Sequence, residues 1–401
     1  MPFVLIIAYF LMIFQGPWKA TLGSKGARDY ASYHYAVQVA WDGQNPYQTD
    51  RLHQKAQEEQ TRRTVHPFFY PPPSLISMLW MVPFPLLIGY RIFFGLNQLL
   101  LLLSFWQLHR WLKTPIWLLG MVGLFFTPLV DSMKMGQLNI WILTLITFGL
   151  ARNSGVILGY AAMSKMSPAL LFFQWIAQRN WKPVLVCILS VPILSLLTVP
   201  LVGFEAQKQF YLEILPEFSS GAYHGLVIPI ELPANHSIPD LFNQIWPSES
   251  RHVLSKIAKN LSTIVNLGLL GGLLFLSAKW RSETSKQYLQ GAMICLFLIF
   301  PVYCYEHHLA LMVIPLLLVF RFCWSKQLVW KIWFFVSFFF VGWPLSMLRW
   351  AQDIVPALDW WLQETKFFAV VSVLIICVLA AFFSHREERD LERASCSEGV
   401  K

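Results

Sequence analysis

The sequence predicts an all-α polytopic membrane protein with about ten spans, and three observations carry that expectation. Only 13% of the 401 residues are charged, where soluble domains carry about a quarter. Apolar runs free of charge recur, as at 184–203, 287–303 and 367–384. Each is near the ~20 residues that a helix needs to cross ~30 Å of hydrocarbon. Many of the 18 Trp stand near the ends of such runs, as an interfacial aromatic belt requires. A soluble fold of this length has no interior large enough for a chain that is 56% hydrophobic.

Residues 2–14 form a short first span. They have neither the basic start nor the small-residue cleavage pattern of a removable signal. With this span leaving the cytoplasm, 16–73 becomes a long external loop. The Pro-punctuated piece 74–88 then dips into the membrane or lies along it. Spans follow at 89–109, 115–131 and 137–151. Arg110, Lys113 and Arg152 place the cytoplasmic ends by the positive-inside rule. Segment 154–178 is too short for two spans, yet Arg152 and Arg179/Lys182 flank both ends. Two half-helices broken around Lys165-Met166-Ser167-Pro168 satisfy both facts, provided protein or water meets the freed backbone groups. Span 184–203 leads out to a second external loop, 204–258. Spans 260–278, 287–303, 307–321, 328–346 and 367–384 complete one transmembrane domain, 1–384. Lys279, Arg281, Lys286, Arg321, Lys326, Arg386 and Arg389 then fall inside. The tail 385–401 is expected to be cytoplasmic and disordered. Both termini are therefore cytoplasmic in a multi-pass protein of the plasma (inner) membrane.

The net charge of +9 reads as this topology signal and does not argue for a nucleic-acid partner. Five of the six cysteines lie in or beside apolar segments without metal-like spacing, which suits packing. No P-loop, Rossmann glycine fingerprint, nucleophile elbow or H-E-x-x-H is present.

The polar residues that need a reason gather on the external side. Tyr30, Tyr33, Val37, Ala40 and Trp41 recur at helical spacing up to a break at Asp42-Gly43. They predict an amphipathic helix lying on the interface. Asp29 at its start serves as a helix cap or as a general base, and spacing alone favours the cap. Lys165, deep in an apolar segment, needs a cavity or a partner, and an ammonium there suits a phosphate group. In Glu306-His307-His308, adjacent histidines point to different faces and make a poor metal pair. One of them facing a cavity would contact phosphate or handle a proton. Asn235-His236-Ser237 could shape its loop. Gln137 and Asn139, at the external end of a span, could cap it or bond a sugar.

In order and spacing, several blocks resemble glycosyltransferase family 87. They are Arg28-Asp29-Tyr30-Ala31-Ser32-Tyr33 through Gly43-Gln44-Asn45-Pro46-Tyr47, Phe69-Tyr70-Pro71-Pro72 and Gly136-Gln137-Leu138-Asn139. Ser164-Lys165-Met166-Ser167-Pro168, Asn235-His236-Ser237 and Glu306-His307-His308-Leu309 follow. The resemblance covers roughly 20–325, with departures at Met166 and His236. It implies a GT-C type helical bundle with two large external loops and an active site opening at the external membrane face. It implies a polyprenyl-phosphate sugar donor, mannose foremost, and a lipid or glycan hydroxyl as acceptor. Asp29 matches the family's first-loop acidic position, which raises the general-base reading above the cap. A single displacement would invert C1, with Lys165 and His307 or His308 steadying the departing phosphate. Tyr33, Tyr70, Gln137, Asn139, Asn235 and His236 become candidates for sugar or acceptor contacts. Such a donor brings no diphosphate for a divalent ion to neutralise, so neither metal nor cofactor is expected.

Other classes compete with this reading. A lipid-saccharide transporter or flippase would share the bundle and the buried cation, but only one helix break is clear and no internal repeat is evident. A polymerase would favour an arginine-rich external loop, whereas 204–258 holds one arginine, Arg251. A scaffold without catalysis leaves Lys165 and the external polar cluster without a purpose.

Overall fold

The computed structural model describes residue 19 and residues 28–61, 65–221 and 228–398. The expected first span, 2–14, lies outside them. The described residues form helices and one isolated antiparallel bridge, Asn235 to Tyr305, and no strand. Five helical runs are long and apolar enough to cross a membrane: Leu86–Leu112, Trp181–Glu217, Lys256–Lys279, Glu306–Trp324 and Pro356–Leu391. Two bent pairs bring the number to seven. The expected count of about ten also draws on 2–14 and on two shorter helices, Asn139–Ala151 and Glu283–Ile299.

Proline accounts for the breaks. The run expected as one span at 115–131 divides into Ile116–Phe125 and Thr127–Met135, bent by 55°. Pro128 stands in the first turn of the second piece, where its missing N–H and its ring stop the first helix from continuing. The expected span 328–346 turns by 96° between Leu328–Gly342 and Leu345–Ile354, at Trp343-Pro344. Carbonyls left unpaired by that break find side chains. Thr127 Oγ1 donates to the Gly342 carbonyl at 2.7 Å and Lys366 Nζ to that of Val341 at 3.4 Å. Beyond the bend, Trp350, Trp360 and Trp361 are exposed. The break expected near Lys165 is present. Gly155–Ser164 ends there, Lys165 is extended (φ −155°, ψ 118°), and Ser167–Ala169 and Leu170–Ala177 follow.

Three local expectations change. Helix Arg28–Trp41 ends where predicted, but it is buried nearly all round instead of lying on the interface, and Trp41, assigned to its apolar face, is 62% exposed. Small and aromatic residues fill every side of it, the pattern of a helix packed inside protein. Glu59 locks it in place, one carboxylate oxygen facing His34 and Gln38 and the other taking Tyr35 and the Leu86 amide. The helical run from Trp181 continues past 203 to Glu217, kinked at Gly203, where φ is 77°. Helix Asp359–Glu398 extends through most of the tail expected to be disordered. Its Glu and Arg residues are good helix formers, and Arg386 pairs with Asp390 one turn on.

The main core joins the spans from Leu86 to the C-terminal helix. A second core packs the segment 28–81 onto them through residues such as Tyr30, Tyr47, Phe68 and Phe210. Cys187, Cys295, Cys304, Cys323 and Cys377 are buried free thiols, as their sequence positions suggest.

Candidate active site

A cavity of about 1240 Å³ opens where the segment 28–71 meets the bundle. Seven of the ten candidate residues line it: Asp29, Tyr33, Tyr70, Gln137, Lys165, His307 and His308. They come from five separate stretches of chain.

Asp29 stands in the first turn of helix Arg28–Trp41. Its Oδ2 accepts a hydrogen bond from Gln137 Nε2 at 2.8 Å. Gln137 Oε1 lies 2.8 Å from the Tyr33 hydroxyl, which in turn lies 2.8 Å from the Tyr70 hydroxyl. The Tyr70 hydroxyl also lies 3.5 Å from Gln137 Oε1, so phenolic O–H groups face the amide oxygen, which accepts, and the amide keeps its N–H toward the carboxylate. Gly136 makes the approach possible. Its φ of +73° ends helix Thr127–Met135, and a Cβ there would sit 2.6 Å from Tyr30 Cβ. Burial raises the Asp29 carboxyl above its ordinary value, while Gln137, His66, Lys165 and Arg28 pull it back. The environment thus raises the proton affinity of this carboxylate.

Lys165 is aimed from the helix break. Its Nζ donates to Asn139 Oδ1 at 2.6 Å, and Asn139 Nδ2 donates to the His307 carbonyl at 2.8 Å. Asn139 is buried and off the cavity wall, so it positions the ammonium and the histidine segment instead of meeting a sugar. His308 Nδ1 accepts the Tyr305 amide at 3.1 Å. A neutral His308 therefore carries its proton on Nε2, as a donor.

Asn235 and His236 also fall behind the wall, both fully buried. Asn235 Nδ2 donates to the carbonyls of Ile230 and Val302, and its Oδ1 accepts the Cys304 amide. Ser237 caps helix Ile238–Ile245 and donates to the Val302 carbonyl. His236 Nε2 meets Glu306 Oε1 at 2.9 Å, and burial keeps its imidazole below its ordinary value. The Asn-His-Ser block is thus a seam that fastens the second loop to the segment carrying His307 and His308.

Three participants were missed from sequence. Glu306 lines the cavity, and its second oxygen pairs with Lys366 Nζ. Lys366 stands near the start of the last span, at the end that the sequence reading puts outside, where the positive-inside rule does not call for a cation, and that was the available signal. His66 lines the cavity and interacts electrostatically with Asp29. As a lone loop histidine it carried no signal. Much of the remaining lining is apolar, including Leu267, Phe297, Leu298 and Phe300. Among the described residues no three His, Cys, Asp or Glu are grouped to hold a metal ion.

The arrangement sets a held carboxylate and a held ammonium on one cavity whose lining is otherwise largely apolar. It can take a proton at one place and receive an anion at another. The profile of glycosyltransferase family 87 matches residues 68–301, more than half of the chain. The match includes Tyr70, Gln137 and Lys165, while Asp29, His307 and His308 lie outside it. No curated protein matches the chain. By the family match, and with apolar helices able to cross a membrane, this chain belongs to glycosyltransferase family 87 and is a membrane glycosyltransferase.

Proposed function

We propose that the protein moves a sugar, mannose foremost, from a polyprenyl-phosphate donor to a hydroxyl of a lipid or glycan at the external face of the plasma membrane. The observation that carries this reading is the joint presence of Asp29 and Lys165 on one cavity whose lining is otherwise largely apolar. A donor with a prenyl chain, a phosphate and a sugar has matching apolar, anionic and polar parts.

Gln137 takes Oδ2 of Asp29, and we assign Oδ1 to the acceptor hydroxyl. As that oxygen attacks C1, Asp29 takes its proton, and the C1–O bond to phosphate breaks with its electrons going to the phosphate oxygen. The products are a glycoside inverted at C1 and a polyprenyl monophosphate. Lys165 and the Nε2–H of His308 steady the charge that grows on the phosphate. His307 contributes from the same wall. The oxocarbenium-like state at C1 parallels that of glycoside hydrolysis. A monophosphate leaving group is served by these donors without a divalent ion.

The full chain, purified and supplied with polyprenyl-phosphate mannose and a host lipid extract in a chelator, is expected to transfer label with inversion. Transfer from a nucleotide sugar alone, or dependence on an added divalent ion, would overturn the donor assignment.

The pH profile offers a separate check. A base acts when ionised, so the rate should rise with pH through the Asp29 pKa, which burial places above the ordinary value. The Gln137 hydrogen bond stabilises the ionised form. Gln137→Leu should therefore raise that pKa and move the acidic limb to higher pH. An unmoved limb in kcat against pH would mean that another group titrates.

A further inference from the structure

Lys366 is 1% exposed and lies off the cavity wall, so it touches no substrate. Its ammonium nevertheless pairs with Glu306, whose carboxylate does line the cavity beside His307 and His308. His236 occupies the other Glu306 oxygen. The three residues come from the second loop, the segment 304–312 and the last span, and two of them carry formal charge. Lys366 therefore makes this buried group neutral overall. Burying a lysine in a membrane protein is costly, and an apolar pair of the same shape would hold these elements together at least as well. The charge calls for a reason beyond packing.

The cavity supplies one. A phosphate held by Lys165 and His308 would sit next to Glu306, and an uncompensated carboxylate would repel it strongly in a poorly solvated site. Asp131 lines the same cavity and adds to that repulsion. We infer that Lys366 is a positioning residue whose charge cancels that of Glu306, so that the anionic headgroup of the donor can settle against Lys165 and His308. This rests on the lipid-phosphate donor proposed above.

The test is binding of a polyprenyl monophosphate, the donor's own leaving group, to the full chain in detergent. Wild type, Lys366→Met, Glu306→Gln and the double variant are compared. Lys366→Met leaves a net negative charge and should weaken binding by on the order of tenfold or more. Glu306→Gln leaves no negative charge and should bind as tightly as wild type or tighter, and the double variant should return close to wild type. A purely structural ion pair would make both single variants worse in the same direction, and that result overturns the inference while leaving the donor intact. Should Lys366→Met fail to fold, Glu306→Gln decides alone, because weaker binding by that variant contradicts charge cancellation. Wild type that ignores polyprenyl monophosphate would remove the donor reading, and this inference with it.

Discussion

Asp29→Asn is expected to lower kcat by about 10²–10⁴-fold, the range set by loss of a positioned general base. The substitution keeps the shape of the side chain, and its amide oxygen still accepts from Gln137 Nε2, so the Tyr70–Tyr33–Gln137 chain stays in place. What disappears is the capacity to take a proton. KM for the donor should change little, because the substitution leaves the proposed phosphate contacts, Lys165 and His308, untouched. The measurement is transfer rate at equal amounts of monodisperse protein. Equal rates would exclude Asp29 from the chemistry and leave it a first-turn carboxylate tied to Gln137.

Lys165→Met should lower kcat/KM for the donor by about 10²–10³-fold, as removing one preorganised group from a developing anion does elsewhere. The Met side chain preserves length and apolar contact, so the loss isolates the charge. Lys165→Arg should recover only part of it, because a planar fork does not replace a point charge held at 2.6 Å by one amide oxygen. Asn139→Ala should fall between wild type and Lys165→Met, since Asn139 aims the ammonium without supplying charge. An unchanged kcat/KM in Lys165→Met would make the lysine a structural tie to Asn139 and nothing more.

Most of the spans, the break at Lys165 and many of the residues on the cavity wall were legible in the sequence because their signals are local. A stretch without charge reports its own solvent, and Pro168 next to a lysine reports a broken helix. Asp29, Gln137 and Lys165 were recognisable as polar groups that water alone did not justify. The burial of helix Arg28–Trp41 was harder to see. Its apolar residues at helical spacing fit an interfacial stripe, and only the small residues on its other sides point to protein all around. Asn139, Asn235 and His236 were legible as unusual but not in role. Asn139 reaches the His307 carbonyl 168 residues away and Asn235 that of Val302 67 away, and backbone acceptors leave no mark on composition. The Glu306–Lys366 pair spans 60 residues and is equally silent in any local pattern.

The turn of 96° after Gly342 has a further consequence. It swings the chain out of the direction of the preceding span, sets Trp350 at 62% exposure on the following helix, and leaves Pro344, Leu345 and Ser346 on the cavity wall. Tryptophans seek the boundary between headgroups and acyl chains, so the same short stretch that senses this boundary also frames the site. The transfer rate is therefore expected to vary with bilayer thickness, which assays in vesicles of different acyl-chain length would measure.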